Sequence, residues 1–391
     1  MSGTALVMSI LTSLITKSDK HHERNAKISS KEVLMAPYRN QKPIGMVDEV
    51  NRLLASYESR GLITITWHVR NVSIKFIRLN DGDQLATDLN IKRYSQRYSE
   101  SLNLLDNTFS QGVYPDIRQD IISKWQQYAT YEGFHADDVD KVILAIKGAD
   151  AVLEREDKTQ DIDYRHLSVN AFSDSKELDK NIGSIARILK VINTEIEPSL
   201  EAKDVLQLYG VVPIAHPVYI SGQLTFISGS STLNASFPPA VGIWPMAVDK
   251  IMSNDKVNRV TSIENLATFM RYVCNEKAED EVVLYTGGIP SPACRTVYKM
   301  IVYALPNSKF YHWGDIDLGG FIILSMMEKI AGRSVLAFRM STDNYKDNDQ
   351  QDTFSTREIN RLNALTLSKD NHELLKNIIA VGHKFEQEAY Y

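Results

Sequence analysis

Between Val260 and Phe338 short β-rich runs alternate with amphipathic helical runs, and few folds accommodate that order. Val260-Thr261-Ser262-Ile263 reads as a short buried strand, and Asn265 to Lys277 as a helix with Leu266, Phe269, Met270 and Val273 on one face. Val282-Val283-Leu284-Tyr285 is the next strand and ends at Thr286-Gly287-Gly288. Pro292 to Ala304 is the second helix, with Pro290 and Pro292 near its start. Lys309-Phe310-Tyr311-His312-Trp313 is the third strand, Gly319 to Ala331 the third helix, and Ser334-Val335-Leu336-Ala337-Phe338 the fourth strand. Parallel strands are joined by crossovers, so this order predicts an α/β domain: a parallel sheet with helices on both faces.

In open parallel sheets the reactive groups collect just beyond the carboxyl ends of the strands. Glu264 directly follows the first strand, and Asp315 and Asp317 lie just past the third. Residues i and i+2 of an extended segment project to the same side, which aims both aspartates one way. Gly314, Gly319 and Gly320 are expected to let the backbone turn tightly around them. Carboxylates that converge repel one another unless a cation neutralises them. An all-oxygen set suits Mg²⁺ or Mn²⁺, and the lack of paired Cys or His at ligand spacing near these acids disfavours zinc. The competing reading is that each acid caps the helix after it. A Glu after one strand and a D-x-D after the third, each in register with a βα unit, favours the metal site. No G-x-x-x-x-G-K-[ST] occurs, which disfavours P-loop chemistry. His312 reads as a buried structural residue rather than a base. Thr286-Gly287-Gly288 fits a plain strand-to-helix turn as well as a phosphate approach.

At 391 residues the chain is long enough for about two or three domains. Three are expected: a winged-helix-like arm over 1–85, a helical middle section over 86–195, and the catalytic domain over 196–391. In the first, Met46, Val47, Val50, Leu53, Leu54 and Tyr57 repeat at helical spacing up to Gly61. Ile63, Ile65 and Trp67, then Ile74 and Phe76, alternate as a hairpin around Val69 to Val72. A small α+β subdomain without a DNA role would show the same pattern. In the middle section Leu102, Leu105, Ile121, Ile122 and Trp125 recur at helical intervals. Val139, Val142, Ile143 and Ile146 continue behind Asp137-Asp138, and Gly148 is expected to stop that helix. Val218 to Phe226 reads as a hairpin turning at Ser221-Gly222.

Composition narrows the function classes. Hydrophobic residues at 43% and charged residues at 24% match ordinary soluble proteins. The formal net charge of −5 supplies no global basic footprint for nucleic acid. A local excess exists over residues 1–45, where seven Lys/Arg face three acids, and an anionic partner or a solvated helix face would both account for it. The two cysteines, Cys274 and Cys294, are too few for a disulfide framework, and both are expected to be buried thiols. Ala5 to Ile15 reads as an amphipathic helix rather than a targeting segment. No run reaches the about 18 apolar residues of a membrane span, so no membrane role is expected and the cytoplasm is the expected location. The run Asp343 to Asp352, with four Asp against Lys346, reads as a mobile loop.

A glutamate after the first strand and a D-x-D after the third resemble the Toprim domain of topoisomerases, primases and related nucleases, over about 130 residues from Val257 onward. Ser262 to Phe269, Tyr311 to Phe321 and Phe385-Glu386-Gln387-Glu388-Ala389 are similar to the JetD family, the nuclease subunits of Wadjet plasmid-defence systems. Arg165-His166-Leu167-Ser168 and Asp174 to Leu178 are similar to that family's central section. The resemblance implies a homodimer related to the topoisomerase VI A subunit, with a winged-helix-like CAP domain before Toprim. It also implies an SMC-like motor complex as partner and closed circular plasmid DNA as substrate. Topoisomerases of this kind attack DNA with a CAP-domain tyrosine. None of the 18 tyrosines here sits in a motif assignable to that role, and Tyr94 and Tyr98 read as amphipathic-helix residues. Water as nucleophile and hydrolysis are therefore expected, with a covalent-tyrosine subunit and a non-catalytic DNA-binding scaffold as the alternatives. In the hydrolytic reading Asp315 and Asp317 hold the metal and Glu264 either completes the coordination or accepts the water's proton. Glu386 and Glu388 have no role derivable from the residues, and a helix surface or a dimer contact would explain them.

Overall fold

The computed structural model describes residues 2–21, 26–40, 45–253, 256–344 and 352–391. The chain divides into two compact units, Met1–Ile146 and Lys147–Tyr391, and the division falls within the helix Val139–Leu153.

In the first unit the helix Gly3–His21 buries Leu6, Ile10, Leu11 and Leu14 completely, the period expected of an amphipathic helix. The helix Met46–Ser59 precedes two antiparallel strands, Ile63–Val69 and Ser73–Leu79, and Lys27–Ser29 adds a third strand at the edge of Ser73–Leu79. The helix-then-hairpin order read from the sequence is thus present. The hairpin turns at Asn71, whose φ of 61° is the left-handed conformation Asn tolerates. Part of the basic excess is spent internally: Lys17 pairs with Glu32 at 2.7 Å, and Arg39 donates to the Ser30 and Glu32 carbonyls. Glu23, Arg24 and Lys42 lie outside the described residues. Tyr94 is a core residue whose hydroxyl donates to the Trp125 carbonyl at 2.8 Å.

The second unit is built on a six-stranded sheet. Its order is Leu336–Ala337, Lys309–Trp313, Arg259–Ile263, Glu281–Tyr285, Val218–Ser221, Val241–Ile243. The first four strands are parallel, and the last two add antiparallel at one side. The sheet is therefore mixed rather than purely parallel. Helices Leu266–Asn275, Pro292–Ala304 and Leu318–Ala331 form the crossovers. The central strands are buried on both faces: Val260, Ile263, Val282, Val283, Leu284 and Trp313 are inaccessible, and so are the polar Thr261, Ser262 and His312. At the opposite end of the sheet from the acids, Glu281 is 1% exposed yet satisfied. Its carboxylate accepts from Arg259 Nε at 2.9 Å, Thr261 Oγ1 at 2.5 Å and Tyr272 OH at 2.9 Å.

Three further expectations fail, the first two for identifiable reasons. The hairpin over Val218 to Phe226 does not form: Leu224–Ser228 joins a separate sheet with Ser231–Asn234 and Lys250–Ser253. Gly222 (φ 138°) lies against the second parallel strand, where a Cβ would stand 2.6 Å from the Glu281 carbonyl, so the chain crosses there instead of folding back. Gly148 does not end its helix; it sits within Val139–Leu153 because a side chain there would collide with Ile185. Cys274 is exposed, and only Cys294 is buried. The acidic run Asp343 to Asp352 lies outside the described residues over 345–351. Among the described residues no helix is long and apolar enough to cross a membrane.

Candidate functional site

Strand register brings the site together. Ile263 lies opposite Tyr285 on one side and Trp313 on the other, so Glu264, Thr286 and Gly314 leave three adjacent strands at the same level. The ladder continues one step beyond: Glu264 N donates to the Trp313 carbonyl at 3.0 Å, and Thr286 N to the Ile263 carbonyl at 2.9 Å. Glu264 is thereby set beside the start of the aspartate loop, and Asp315 N lies 3.4 Å from its Oε2. The glycines matter here through close approach, since none of Gly314, Gly319 and Gly320 has a positive φ. A Cβ on Gly314 would stand 2.7 Å from Glu264 Oε2 and 2.9 Å from His312 Nε2, and one on Gly320 would collide with the Asp315 backbone. The close approach of Gly320 to Asp315 is the tight turn expected around the aspartates, and positive φ occurs in the loop after the neighbouring strand, at Gly287 and Gly288, with 69° and 81°. Both glycines line a cleft of about 570 Å³ together with Glu264, Asp315 and Tyr285, and no Lys or Arg is among the described residues lining it.

Electrostatics mark the cluster. Burial first, then the charges of Asp315, Asp317 and Glu386, push the Glu264 carboxyl up to about 8. Asp317 Oδ1 accepts from Gly320 N at 2.7 Å, so this acid does cap the helix it precedes. The first helix is capped by Asn265, whose Oδ1 accepts from Thr268 N at 3.1 Å, leaving Glu264 for another role. Asp315 Oδ1 accepts from Gln387 N at 2.6 Å. The capping reading thus accounts for one acid of three. Among the described residues no three His, Cys, Asp or Glu side chains are already drawn into a group that holds an ion. The donor set nonetheless fits Mg²⁺ or Mn²⁺ in kind: it offers oxygen only, and it concentrates negative charge that no cationic side chain of the cleft lining offsets.

His312 is fully buried, with Nδ1 2.9 Å from Ser262 Oγ, and burial pushes its pKa down to about 3. It is a neutral strand residue, as its position within the strand implies. The sequence left the segment around Glu386 without a role, yet it reaches the acids. Phe385 pairs by backbone with Ile316, the residue between the two aspartates, and the Glu386 charge acts on Glu264. Only the family-like spelling of residues 385–389 hinted at this, because nothing local connects them to strands 70 to 120 positions earlier. The side chain of Glu388 lies outside the described residues.

Residues 232–390 match the family model described as Wadjet protein JetD, C-terminal. The Wadjet protein JetD of Bacillus cereus (strain Q1) is 24% identical over 189 residues, which are 47% of this chain and 46% of that protein. The match thus spans about half the length of the curated relative. Both comparisons point to one family, and the family-model match spans the strands and loops that carry the acids: over residues 232–390 the chain is similar to the C-terminal part of the Wadjet protein JetD.

Proposed function

We propose that the chain is a metal-dependent DNA endonuclease subunit of a Wadjet-type plasmid-defence complex, hydrolysing phosphodiester bonds of closed circular DNA. The observation that supports this reading is that Glu264 and Asp315 leave neighbouring parallel strands at one carboxyl edge, where the charges of Asp315 and Asp317 act on Glu264. In this reading the fold is a Toprim domain. Asp315 and Asp317 hold Mg²⁺ or Mn²⁺, and Glu264 completes the set or takes the proton of the attacking water. When bound, the cation polarises the phosphate and stabilises charge on the leaving oxygen. The chain's own residues prepare the place: the Gln387 amide orients Asp315, and Gly314 and Gly320 leave room where side chains would collide with Glu264 and the Asp315 backbone. Burial and its acidic neighbours favour the protonated form of Glu264 in the metal-free chain; a bound cation would favour its ionised form, the one able to complete the coordination or accept the water's proton.

The rest of the assembly follows the same reading. The winged-helix-like arm over 1–85 serves docking or DNA contact, and the chain acts as a cytoplasmic homodimer. With a net charge of −5 it relies on an SMC-like motor complex to deliver DNA. Purified protein, with and without Wadjet partner subunits, is incubated with circular plasmid and Mg²⁺ or Mn²⁺. Expected are free DNA ends, no protein–DNA adduct, and loss of cleavage in Glu264→Ala and Asp315→Ala. An adduct that survives denaturation would establish the tyrosine route. Cleavage indifferent to both substitutions would refute the site. The capping bond of Asp317 favours one second reading, a non-catalytic scaffold, which requires that no cleavage occur even in the complete complex.

A further inference from the structure

We propose that Gln387 is a positioning residue and that Phe385 to Gln387 form a strap which sets the spacing between Glu264 and Asp315. This rests on the metal-site reading above. Gln387 is completely buried, and its amide uses both of its hydrogen-bonding ends. Oε1 accepts from Asn265 N at 2.9 Å, and Nε2 donates to the Trp313 carbonyl at 2.5 Å. Those backbone groups belong to the residue just after Glu264 and the residue two before Asp315. One side chain therefore ties the exits of the first and third parallel strands together at the last bond of their ladder, sharing the Trp313 carbonyl with Glu264 N and reaching one residue farther to Asn265 N.

The main chain of the same segment completes the clamp. Gln387 N donates to Asp315 Oδ1 at 2.6 Å, which orients that carboxylate. Ile316 N donates to the Phe385 carbonyl at 2.8 Å, and Phe385 N to the Ile316 carbonyl at 3.2 Å, which holds the loop between the aspartates. Where Glu264 and Asp315 are both ionised they repel each other, and these bonds hold the loops that carry them against that repulsion. A glutamine suits the task because a primary amide both donates and accepts. A glutamate could not donate to Trp313, and a methionine of similar length could do neither.

The test measures Mn²⁺ binding to the full chain without DNA, by electron paramagnetic resonance of free Mn²⁺, at a temperature well below unfolding. Gln387→Met is compared with wild type and with Glu281→Gln, which disturbs a buried network at the other end of the same sheet. Expected is an at least tenfold loss of Mn²⁺ affinity in Gln387→Met and less than a twofold loss in Glu281→Gln. If Gln387→Met does not fold, Gln387→Asn replaces it. This shorter amide reaches only one of the two backbone partners, and a three- to tenfold loss is expected. Wild-type affinity in the Gln387 variant, or an equal loss in Glu281→Gln, overturns the strap while leaving the metal site standing. Failure of the wild-type protein itself to bind Mn²⁺ overturns the reading on which the strap rests.

Discussion

Replacing Glu264 by Gln should make the metal-free protein more stable, and by an amount that depends on pH. The carboxyl has an ordinary value of 4.5 and is held near 8 in the fold by burial and by Asp315, Asp317 and Glu386. Its protonated form is therefore favoured in the folded state. The resulting stability is fully present below pH 4.5 and is lost as pH rises through about 8. The gap of roughly 3.5 in pKa, at about 1.4 kcal/mol each, amounts to about 5 kcal/mol. Gln has no proton to lose. The stability difference between Glu264→Gln and wild type should be near zero at pH 4.5, grow by about 1.4 kcal/mol per pH unit, and level off above pH 8. Urea denaturation from pH 4.5 to 9 in EDTA reads this directly. Saturating Mg²⁺ should shrink the difference above pH 7, because a cation that binds only the folded wild type stabilises it by about 2.7 kcal/mol at a hundred times its Kd. A difference that stays flat with pH would show that Glu264 ionises as freely as in water, and the crowding of negative charge at this sheet edge would be refuted.

Three further outcomes are expected. Asp317→Ala should cost about 1 kcal/mol through loss of the cap to Gly320 N, whereas Asp317→Asn keeps that cap; both should abolish Mn²⁺-dependent cleavage, which separates the capping role from the ligand role in paired denaturation and plasmid assays. Gly314→Ala places a methyl 2.7 Å from Glu264 Oε2 and should lower plasmid cleavage at least tenfold while circular dichroism stays native. Tyr94→Phe deletes the hydroxyl bond to Trp125 and should lower stability by about 1 kcal/mol, with cleavage by the complete complex unchanged on a gel.

The parts of the fold visible in the sequence are those set by local periodicity. Pro292–Ala304 has the bounds that its proline start and apolar spacing imply, and Lys309–Trp313 is a strand over its whole expected length. Glu264 and Asp315 could be placed at one edge in advance because βα topology alone puts strand ends there. What local pattern could not show is where a chain crosses another. Ser221-Gly222 has the spelling of a hairpin turn, but the close approach of Gly222 to Glu281 and Val282 sends the chain into a second sheet. Gly148 reads as a stop signal and is a packing glycine against Ile185. The segment Phe385 to Gln387 is the extreme case: its partners Asn265 and Trp313 lie 122 and 74 residues away, and no periodicity spans such distances.

The central claim, that these carboxylates form a metal centre, is tested most directly by anomalous diffraction from crystals grown or soaked with Mn²⁺. Expected is a strong peak with oxygens of Glu264, Asp315 and Asp317 within about 2.0–2.6 Å of it. In that result Asp317 can keep the bond from Gly320 N on Oδ1 and offer its other carboxylate oxygen to the cation. A Mn²⁺ peak coordinated elsewhere, or no peak at this sheet edge at saturating Mn²⁺, would contradict the claim.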